Sequence, residues 1–338
     1  MAFNDPDSCR DGRVRSHKEG SLKKDQVSTK CGGVDVCKLW LDAAEHGLED
    51  GLRAPNTAEG IAELIGWFKA RGVVRVGFEA TGGFERKLLL ALEAEGLEVV
   101  MFQPLQVLAF GRFKGRKAKN DENDARLIAA ATGQCDTVKA ASDPLLMELA
   151  ERFTVYERIS ETVAQFKTFA QQLDGEAHKA EVKAQILSLV AAKTRLARQI
   201  IAAIKAAPHL AQRYGLLMSI PGIGPLIAAS LVVRMPELGS MELGQAASML
   251  GTAPYDRDSG SFKGRRFIGG GRERPRRMMY MAALTAIRHD AGFKAFATRL
   301  VSAGKAKKVA IVAVMRKLIE AANLVLKRNT PWVTTTAK

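Results

Sequence analysis

The stretch from Leu145 to Ala207 constrains the fold of this 338-residue chain most strongly, because it contains no proline and only one glycine, Gly175. Apolar residues recur through it at spacings of three, four or seven, which is typical of amphipathic helices that pack along a seam. These residues are Leu149, Phe153, Tyr156, Ile159, Val163, Phe166 and Leu173 before the glycine and Val182, Ile186, Leu189, Leu196, Ile200 and Ile204 after it. The pattern predicts two long helices over residues 145–207, paired as a hairpin or a coiled coil. Such a span can act as a dimerisation element or as a rigid spacer, and the sequence does not choose between them.

Residues 29–140 alternate between strand and helix patterns. Val34–Leu41 is a mostly apolar run of strand length, and the β-branched run Val73–Glu79 predicts a buried strand. A helix is expected from Phe84 to Glu95, and residues 97–102 return to strand. This alternation predicts an α/β domain with a largely parallel portion of sheet.

Acidic residues lie at positions that need an explanation. Asp35 has apolar neighbours on both sides within the first strand, and Glu79 ends the second, although acidic residues are poor strand formers and costly to bury. Asp121 and Asp124 precede an apolar helix and, being three apart, share a face of its first turn. Four carboxylates brought together repel one another unless cations neutralise them, and hard oxygen ligands favour Mg²⁺ or Mn²⁺.

The order of these acids is more specific than any one of them. A lone D-x-x-D at a helix start is more often a cap with a solvated charge. A strand Asp, a strand Glu and a helix Asp-x-x-Asp, in that order on an α/β pattern, resemble the ribonuclease H-like metal site of RuvC-type nucleases. In such sites two metal ions hold the attacking and leaving oxygens of a phosphodiester.

The C-terminal part contains a glycine-rich turn between apolar segments. Ser219–Pro225 places Gly222 and Gly224 where backbone N–H groups can bind phosphate, as in a helix-hairpin-helix element that contacts the DNA backbone. The alternative is a plain tight turn between packed helices, and the motif alone favours neither.

A dense basic run follows, opposed only by Glu273, and we expect it to bind nucleic acid. Its members are Lys263, Arg265, Arg266, Arg272, Arg274, Arg276 and Arg277. Gly269–Gly271 within it predicts a mobile loop that can follow a phosphate backbone. The alternative is a flexible, solvated loop.

The overall charge agrees with a polyanionic partner. With 51 Lys+Arg against 36 Asp+Glu, the formal net charge is +15, which favours binding to phosphates through counterion release but does not separate DNA, RNA and anionic lipid.

No run approaches the roughly 18–20 apolar residues of a membrane helix, and the N-terminus lacks the apolar core of a signal peptide, so we expect a cytoplasmic protein. Residues 1–28 read as a disordered basic tail. The four cysteines form no CxxC pair and are expected to be free thiols.

These motifs, in this order, resemble the DEDD-type transposases of bacterial insertion sequences, the bridge-RNA-guided recombinases related to the pilin-gene invertase Piv. The resemblance runs from about Gly33 to Trp332 and rests on Gly33–Lys38, Phe78–Gly82, Lys119–Ala125, Ile220–Gly224, Ser259–Gly260 and Gly304–Ala310. It implies three domains after the tail: an α/β RuvC-like (ribonuclease H-like) domain at 29–140, a helical coiled-coil span at 145–207, and a mainly α transposase domain with a helix-hairpin-helix-like element at 210–335.

The same resemblance implies a catalytic site in two parts. The four acidic metal ligands of the family map to Asp35, Glu79, Asp121 and Asp124, with Mg²⁺ or Mn²⁺ as the cofactor. The serine nucleophile maps to Ser259, with Ser261 as the alternative register. The implied reaction is metal-dependent DNA strand cleavage and exchange through a covalent phosphoserine intermediate. Because the acids and the serine lie on opposite sides of the long helices in sequence, we expect a composite site, with the helical span as the dimer element if subunits share it.

The partners implied are donor and target DNA, a non-coding guide (bridge) RNA, and further copies of the chain as a dimer that assembles to a tetramer on DNA. A nucleoid-associated location would follow. One competing interpretation is a RuvC-like junction nuclease that uses metal-activated water and leaves Ser259 as a loop residue. Another is a non-catalytic DNA- or RNA-binding protein on a decayed catalytic fold, against which the intact acidic quartet argues.

Overall fold

The computed structural model describes residues 29–115, 121–136, 138–139, 142–255, 264 and 266–333, with the side chains of residues 121–123 outside that description. The chain divides into two compact units, Met1–Ser142 and Asp143–Lys338. Each unit has a hydrophobic core of its own.

The first unit is built on a five-stranded mixed sheet. Its strands are β1 (Cys31–Val36), β2 (Trp40–Glu45), β3 (Gly51–Pro55), β4 (Arg75–Glu79) and β5 (Glu98–Phe102), and they lie in the order β3-β2-β1-β4-β5. β1, β4 and β5 run parallel, whereas β2 pairs antiparallel with both β1 and β3. The predicted α/β character is therefore confirmed, and the parallel portion comprises three of the five strands.

The single strand predicted over Val34–Leu41 is wrong, because the chain reverses direction inside that run. The N–H of Cys37 donates to the carbonyl of Trp40 at 3.0 Å, which closes a tight turn between β1 and β2. The reversal places Asp35 directly opposite Asp42 in the antiparallel pair.

Helices cover both faces of this sheet. They are α1 (Ala58–Ala70), α2 (Arg86–Ala94), α3 (Pro104–Phe113) and α4 (Asp121–Gly133). Successive residues of a strand face opposite sides, so two neighbouring glycines of β1 identify the helix on each side. A Cβ on Gly32 would come within 2.3 Å of Phe68 Cε1 in α1, and a Cβ on Gly33 within 2.2 Å of Ala129 N in α4. The sheet thus lies between α1 and α4, and α4 approaches it closely enough to require glycine.

The second unit is mainly helical. Its helices are α5 (Pro144–Ala170), α6 (Glu176–Ala206), α7 (Pro208–Met218), α8 (Pro225–Arg234), α9 (Gln245–Leu250), α10 (Glu273–His289), α11 (Ala291–Ser302) and α12 (Lys307–Arg328). Two short antiparallel strands, β6 (Pro254–Tyr255) and β7 (Phe267–Ile268), lie between α9 and α10. Within the described parts of the chain, no helix has the length and apolarity needed to cross a membrane.

The two long helices predicted over residues 145–207 are present as α5 and α6, which pack against each other, and Gly175 is the N-cap of the second. Their ends nearest the other helices enter the core of the unit through four fully buried side chains, Leu149, Phe153, Ile200 and Ile204. Phe169, next to the connecting turn, is 48% exposed, and Leu187, in the first half of α6, is 62% exposed. One end of the hairpin is therefore part of the core, and the other presents apolar side chains at the surface.

Candidate active site

Asp35 and Glu79 lie side by side on one face of the first unit's sheet. Their preceding residues, Val34 and Phe78, are partners in the parallel pair of β1 and β4. Residues two apart in a strand share a face, so Asp35 lies on the same face as Gly33, which contacts α4. Glu79 likewise lies on the face of Gly77, where a Cβ would come within 1.9 Å of Thr132 Oγ1 of α4. Both half-buried carboxylates therefore lie on the face covered by α4.

The direction of α4 places its first turn near these carboxylates. At its C-terminal end, a Cβ on Gly133 would lie 3.3 Å from His46 Cδ2, and the N–H of His46 donates to the carbonyl of Cys31 at the start of β1. Ala125, near the other end of α4, contacts Gly33 further along the same strand. α4 thus runs back along β1, with Asp121 and Asp124 in its first turn at the end of the strand that carries Asp35.

This arrangement suits a divalent cation with hard oxygen ligands, because β1, β4 and α4, the elements that carry the four predicted acids, adjoin one another. Asp124 is half-buried, like Asp35 and Glu79, and the side chain of Asp121 lies outside the described residues. Among the side chains that are described, no group of three or more His, Cys, Asp or Glu residues is gathered as a metal site. The structure therefore places the elements that carry the predicted ligands next to one another.

A fifth carboxylate, which sequence reasoning missed, adjoins this set. Asp42 is the antiparallel partner of Asp35, and Arg53 is the partner of Asp42 on β3. Two hydrogen bonds join Arg53 to Asp42, from Nε to Oδ1 at 2.7 Å and from Nη2 to Oδ2 at 2.9 Å. This bidentate pair offsets a negative charge directly beside Asp35. The pairing could not be foreseen while β1 and β2 were taken as one strand.

A second missed acid, Glu85, organises the loop that follows Glu79. Its Oε2 accepts hydrogen bonds from the Thr81 hydroxyl at 2.5 Å, from Gly83 N at 2.8 Å and from Thr81 N at 3.2 Å. Burial works to raise the pKa of Glu85, but hydrogen bonds from the Thr81 hydroxyl and from backbone N–H groups outweigh it and hold that pKa below its usual value. The loop is thus fixed around an ionised carboxylate just beyond the end of β4.

The serine predicted to be the nucleophile lies in the segment between β6 and β7. In that hairpin Pro254 pairs with Ile268, and Tyr255 pairs with Phe267. Ser259 and Ser261 belong to the connecting residues 256–263, which lie outside the described part of the chain, as do Lys263 and Arg265. The choice between the two serines stays a prediction.

Arginines of the basic run form ion pairs within the second unit. Arg272 donates to both carboxylate oxygens of Glu237, at 2.8 and 2.6 Å, and to the carbonyl of Arg234 at 2.6 Å. Burial works to raise the pKa of Glu237, but the hydrogen bond and charge of Arg272 lead the effects that lower it below its usual value. Arg274 and Arg234 both pair with Glu157 of α5, at 2.8 and 3.1 Å.

Two further arginines of the run also have protein partners. Arg276 donates to the carbonyl of Gly270 at 2.8 Å, and Arg277 pairs with Glu273 at 2.7 Å and with Glu161 at 3.3 Å. Arg272, Arg274, Arg276 and Arg277 thus brace the start of α10, and their contact with nucleic acid stays a prediction. Arg266 is exposed, just before β7.

Two glycines of the run bear on the predicted mobile loop. Gly271 has φ +71°, and a Cβ there would meet Gly251 N at 2.2 Å. Gly270, with φ +62°, has open space at its Cβ position. At Gly271, therefore, glycine is required by close backbone packing rather than by mobility.

The two glycines of the turn between α7 and α8 have different surroundings. Gly222 has φ +85°, and a Cβ there would meet Ala282 O of α10 at 2.4 Å and Ala286 Cβ at 2.8 Å. This contact favours the tight-turn explanation at Gly222, because the glycine is needed for packing. Gly224 is the N-cap of α8 and has open space at its Cβ position, so a phosphate contact there stays a prediction.

Two segments of the chain match models of transposase families. Residues 33–176 match the DEDD-type IS110 model, described as a transposase, and residues 214–298 match the model described as the transposase IS116/IS110/IS902 family. The chain belongs to this transposase family. It is also 28% identical over 320 residues to the pilin gene-inverting proteins of Moraxella bovis and Moraxella lacunata, covering 89% of this chain and 96% of each relative.

Family membership confirms the resemblance inferred from the motifs. This transposase is a DNA recombinase, and its substrates are DNA. The DEDD family points to dependence on a divalent metal without identifying the ion. By their names, the two Moraxella relatives invert a pilin gene.

Proposed function

We propose that this transposase is guided by an RNA and exchanges DNA strands through a covalent phosphoserine intermediate at Ser259. Asp35, Glu79, Asp121 and Asp124 would hold Mg²⁺ or Mn²⁺ for this reaction. The observation that supports the proposal most directly is the position of Asp35 and Glu79 on adjacent strands, on the face covered by α4. The guide RNA, and the use of both donor and target DNA, rest on the sequence resemblance.

The proposed reaction requires an activated serine hydroxyl and a group that stabilises the charge on the phosphate. A serine hydroxyl is a weak nucleophile at its own pKa, so it needs activation. Bound divalent cations supply this by lowering the hydroxyl pKa and stabilising the charge that develops on the phosphate. Ser259 Oγ forms the new ester bond to phosphorus and loses its proton, while the leaving strand takes the electrons of the broken P–O bond and a proton. Reversal of this step on the partner DNA joins the exchanged strands.

Residues around the carboxylates have supporting tasks in this proposal. The pair between Arg53 and Asp42 limits the negative charge next to Asp35, so the ligands can approach one another without a further unpaired carboxylate beside them. Glu85 fixes the loop that follows Glu79 and thereby restrains the end of β4. These contacts hold the ligand-bearing elements in place before a cation binds.

We also propose that the transposase acts as a homodimer joined through the outer part of the α5–α6 hairpin, with tetramers forming on DNA. The exposed apolar side chains of Phe169 and Leu187 support this, because a second copy would bury them. The inner part of the hairpin is already occupied by the core of its own unit.

The central proposal is tested by trapping the covalent intermediate. Full-length protein, guide RNA and nicked donor DNA are incubated with Mg²⁺, and protein–DNA adducts are resolved on a denaturing gel. We expect an adduct with the wild type and with Ser261→Ala, none with Ser259→Ala, and none with Asp35→Asn. Ser261→Ala is the matched control, since it removes the neighbouring hydroxyl only.

Other outcomes would contradict the proposal in recognisable ways. DNA cleavage without an adduct would indicate a nuclease that uses water. Binding without cleavage would indicate a non-catalytic nucleic-acid-binding protein. An adduct lost in Ser261→Ala but kept in Ser259→Ala would identify Ser261 as the nucleophile. Equal activity without the RNA would show that the reaction needs no guide RNA.

A further inference from the structure

The β6–β7 hairpin carries two aromatic rings side by side at the surface. Tyr255 and Phe267 are directly opposed in the antiparallel pair, so both side chains lie on one face of the hairpin. They are 48% and 55% exposed, and the neighbouring Ile268 is 41% exposed. A groove of about 390 Å³ lies against these three residues and Gly269 and Gly270. Gly269 and Gly270 carry no side chain and have open space at their Cβ positions, so the groove is open on their side.

Hydrogen bonds and backbone packing hold the two strands that carry the rings. The Tyr255 hydroxyl lies 2.8 Å from Ser248 Oγ of α9, which fixes the orientation of its ring. Below the strands, Gly271 packs against the backbone of Gly251, and Arg276 bridges the carbonyls of Gly270 and Gly251 at 2.8 and 3.4 Å. The surface is therefore ordered before any partner binds, which limits the entropy cost of binding.

We propose that Tyr255 and Phe267 form a stacking platform for an unpaired base of the DNA substrate. Aromatic rings next to positive charge are the usual means of binding single-stranded nucleic acid, because every base has a face that can stack. Arg266, exposed beside Phe267, supplies charge complementary to a phosphate. In sequence the two strands flank the segment that contains Ser259, so a base held here belongs to the DNA near the cut. A fully paired duplex has no free base face to offer.

This inference deepens the proposed function, on which it rests for the position of the cut. It is tested by binding alone, in full-length Ser259→Ala protein without divalent metal, so that no strand is cleaved. The probes are two DNAs of equal length: a duplex with a four-nucleotide unpaired stretch that contains 2-aminopurine, and the same duplex fully paired. A single-stranded RNA of the unpaired sequence serves as a third probe.

We expect Tyr255→Ala and Phe267→Ala each to weaken binding of the gapped DNA by about fivefold to 150-fold, with a change of less than about twofold for the paired duplex. Stacking should quench the 2-aminopurine with the parent protein and not with these variants. Val301→Ala is the matched control, because Val301 of α11 is also a partly exposed apolar side chain of the same unit, at 39%, and has no part in the proposed dimer or base-binding surface. Phe267→Trp should retain binding, which separates stacking from a folding defect.

Three results would overturn the platform. These are an unchanged affinity for gapped DNA, an equal loss for gapped and paired DNA, and a loss confined to the RNA. None of them bears on the covalent adduct at Ser259. Conversely, if no adduct ever forms but gapped-DNA binding depends on the two rings, the platform stands and the phosphoserine mechanism fails.

Discussion

Gly33→Ala would test the close approach of α4 to the sheet and its consequence for the carboxylates. A Cβ at residue 33 would lie 2.2 Å from Ala129 N, 2.4 Å from Ala125 O and 2.8 Å from Ala129 Cα, all of them backbone atoms. Because ordinary contacts between heavy atoms lie near 3.5 Å, α4 would have to retreat by roughly 1 Å. Overpacking of this kind costs about 1–3 kcal/mol, and rigid backbone neighbours place it at the upper end. A loss of about 3 kcal/mol lowers the melting temperature of such a unit by roughly 6 °C or more.

The same retreat would move Asp121 and Asp124 away from Asp35 and Glu79. A displacement near 1 Å at a catalytic group lowers activity by about 100-fold, so we expect that loss of magnesium-dependent cleavage of nicked DNA. Melting is followed by circular dichroism, and cleavage is measured at least about 15 °C below the variant's melting temperature so that unfolding does not contribute.

Gly66→Ala is the matched control for this experiment. Gly66 lies within α1 with open space around its Cβ position, so alanine should stabilise the helix by about 0.5–1 kcal/mol and leave cleavage unchanged. If Gly33→Ala melted like the wild type, the packing argument would be refuted. If it melted lower but cleaved normally, the assignment of the ligands in α4 would be refuted instead.

Two further predictions concern the second unit. Gly222→Ala should destabilise this unit by at least about 2 kcal/mol, because residue 222 has a left-handed φ of +85° and a Cβ there would contact Ala282 O. Gly215→Ala, in open space on α7, should not destabilise it. Urea melts of both variants check this, and similar unfolding midpoints for the two would contradict it. Because the pKa of Glu237 is held below its usual value of about 4.3, its pairing with Arg272 stabilises the fold above that pH and is lost as the pH falls through the lower folded pKa. Glu237→Gln should therefore be less stable than the wild type near neutral pH, with the gap closing below about pH 4 in urea melts, and a gap independent of pH would count against the pair.

The sequence predicted the main elements of the first unit because each follows from a local pattern. Alternating runs of apolar residues identified the parallel strands, and the apolar run from Leu127, preceded by Asp121 and Asp124, identified α4. The reversal between β1 and β2 escaped notice because Cys37, Lys38 and Leu39 include none of the residues that usually mark turns. With β2 unrecognised, the pairing of Asp42 with Asp35 and Arg53 could not be inferred.

The basic run shows a different limit of sequence reasoning. Its charges were evident, but Glu157 and Glu237 lie 117 and 35 residues before Arg274 and Arg272, so no local spacing reveals that they pair. The same is true of Gly222, whose neighbour in α10 is distant in sequence. What folding brings together across such separations depends on tertiary packing, which periodicity and composition do not record.

The internal ion pairs of Arg272, Arg274 and Arg277, and the backbone contacts of Arg276, have a consequence for how strongly salt should affect DNA binding. The slope of log K against log[salt] counts roughly 0.9 released ions per phosphate neutralised on duplex DNA. The ions are released from the DNA when a Lys or Arg side chain neutralises a phosphate. Arginines that are paired with Glu237, Glu157, Glu161 and Glu273 cannot do this unless they first leave those partners. A titration of this transposase should therefore give a shallower slope than the seven basic residues of the run would give if all of them contacted phosphate.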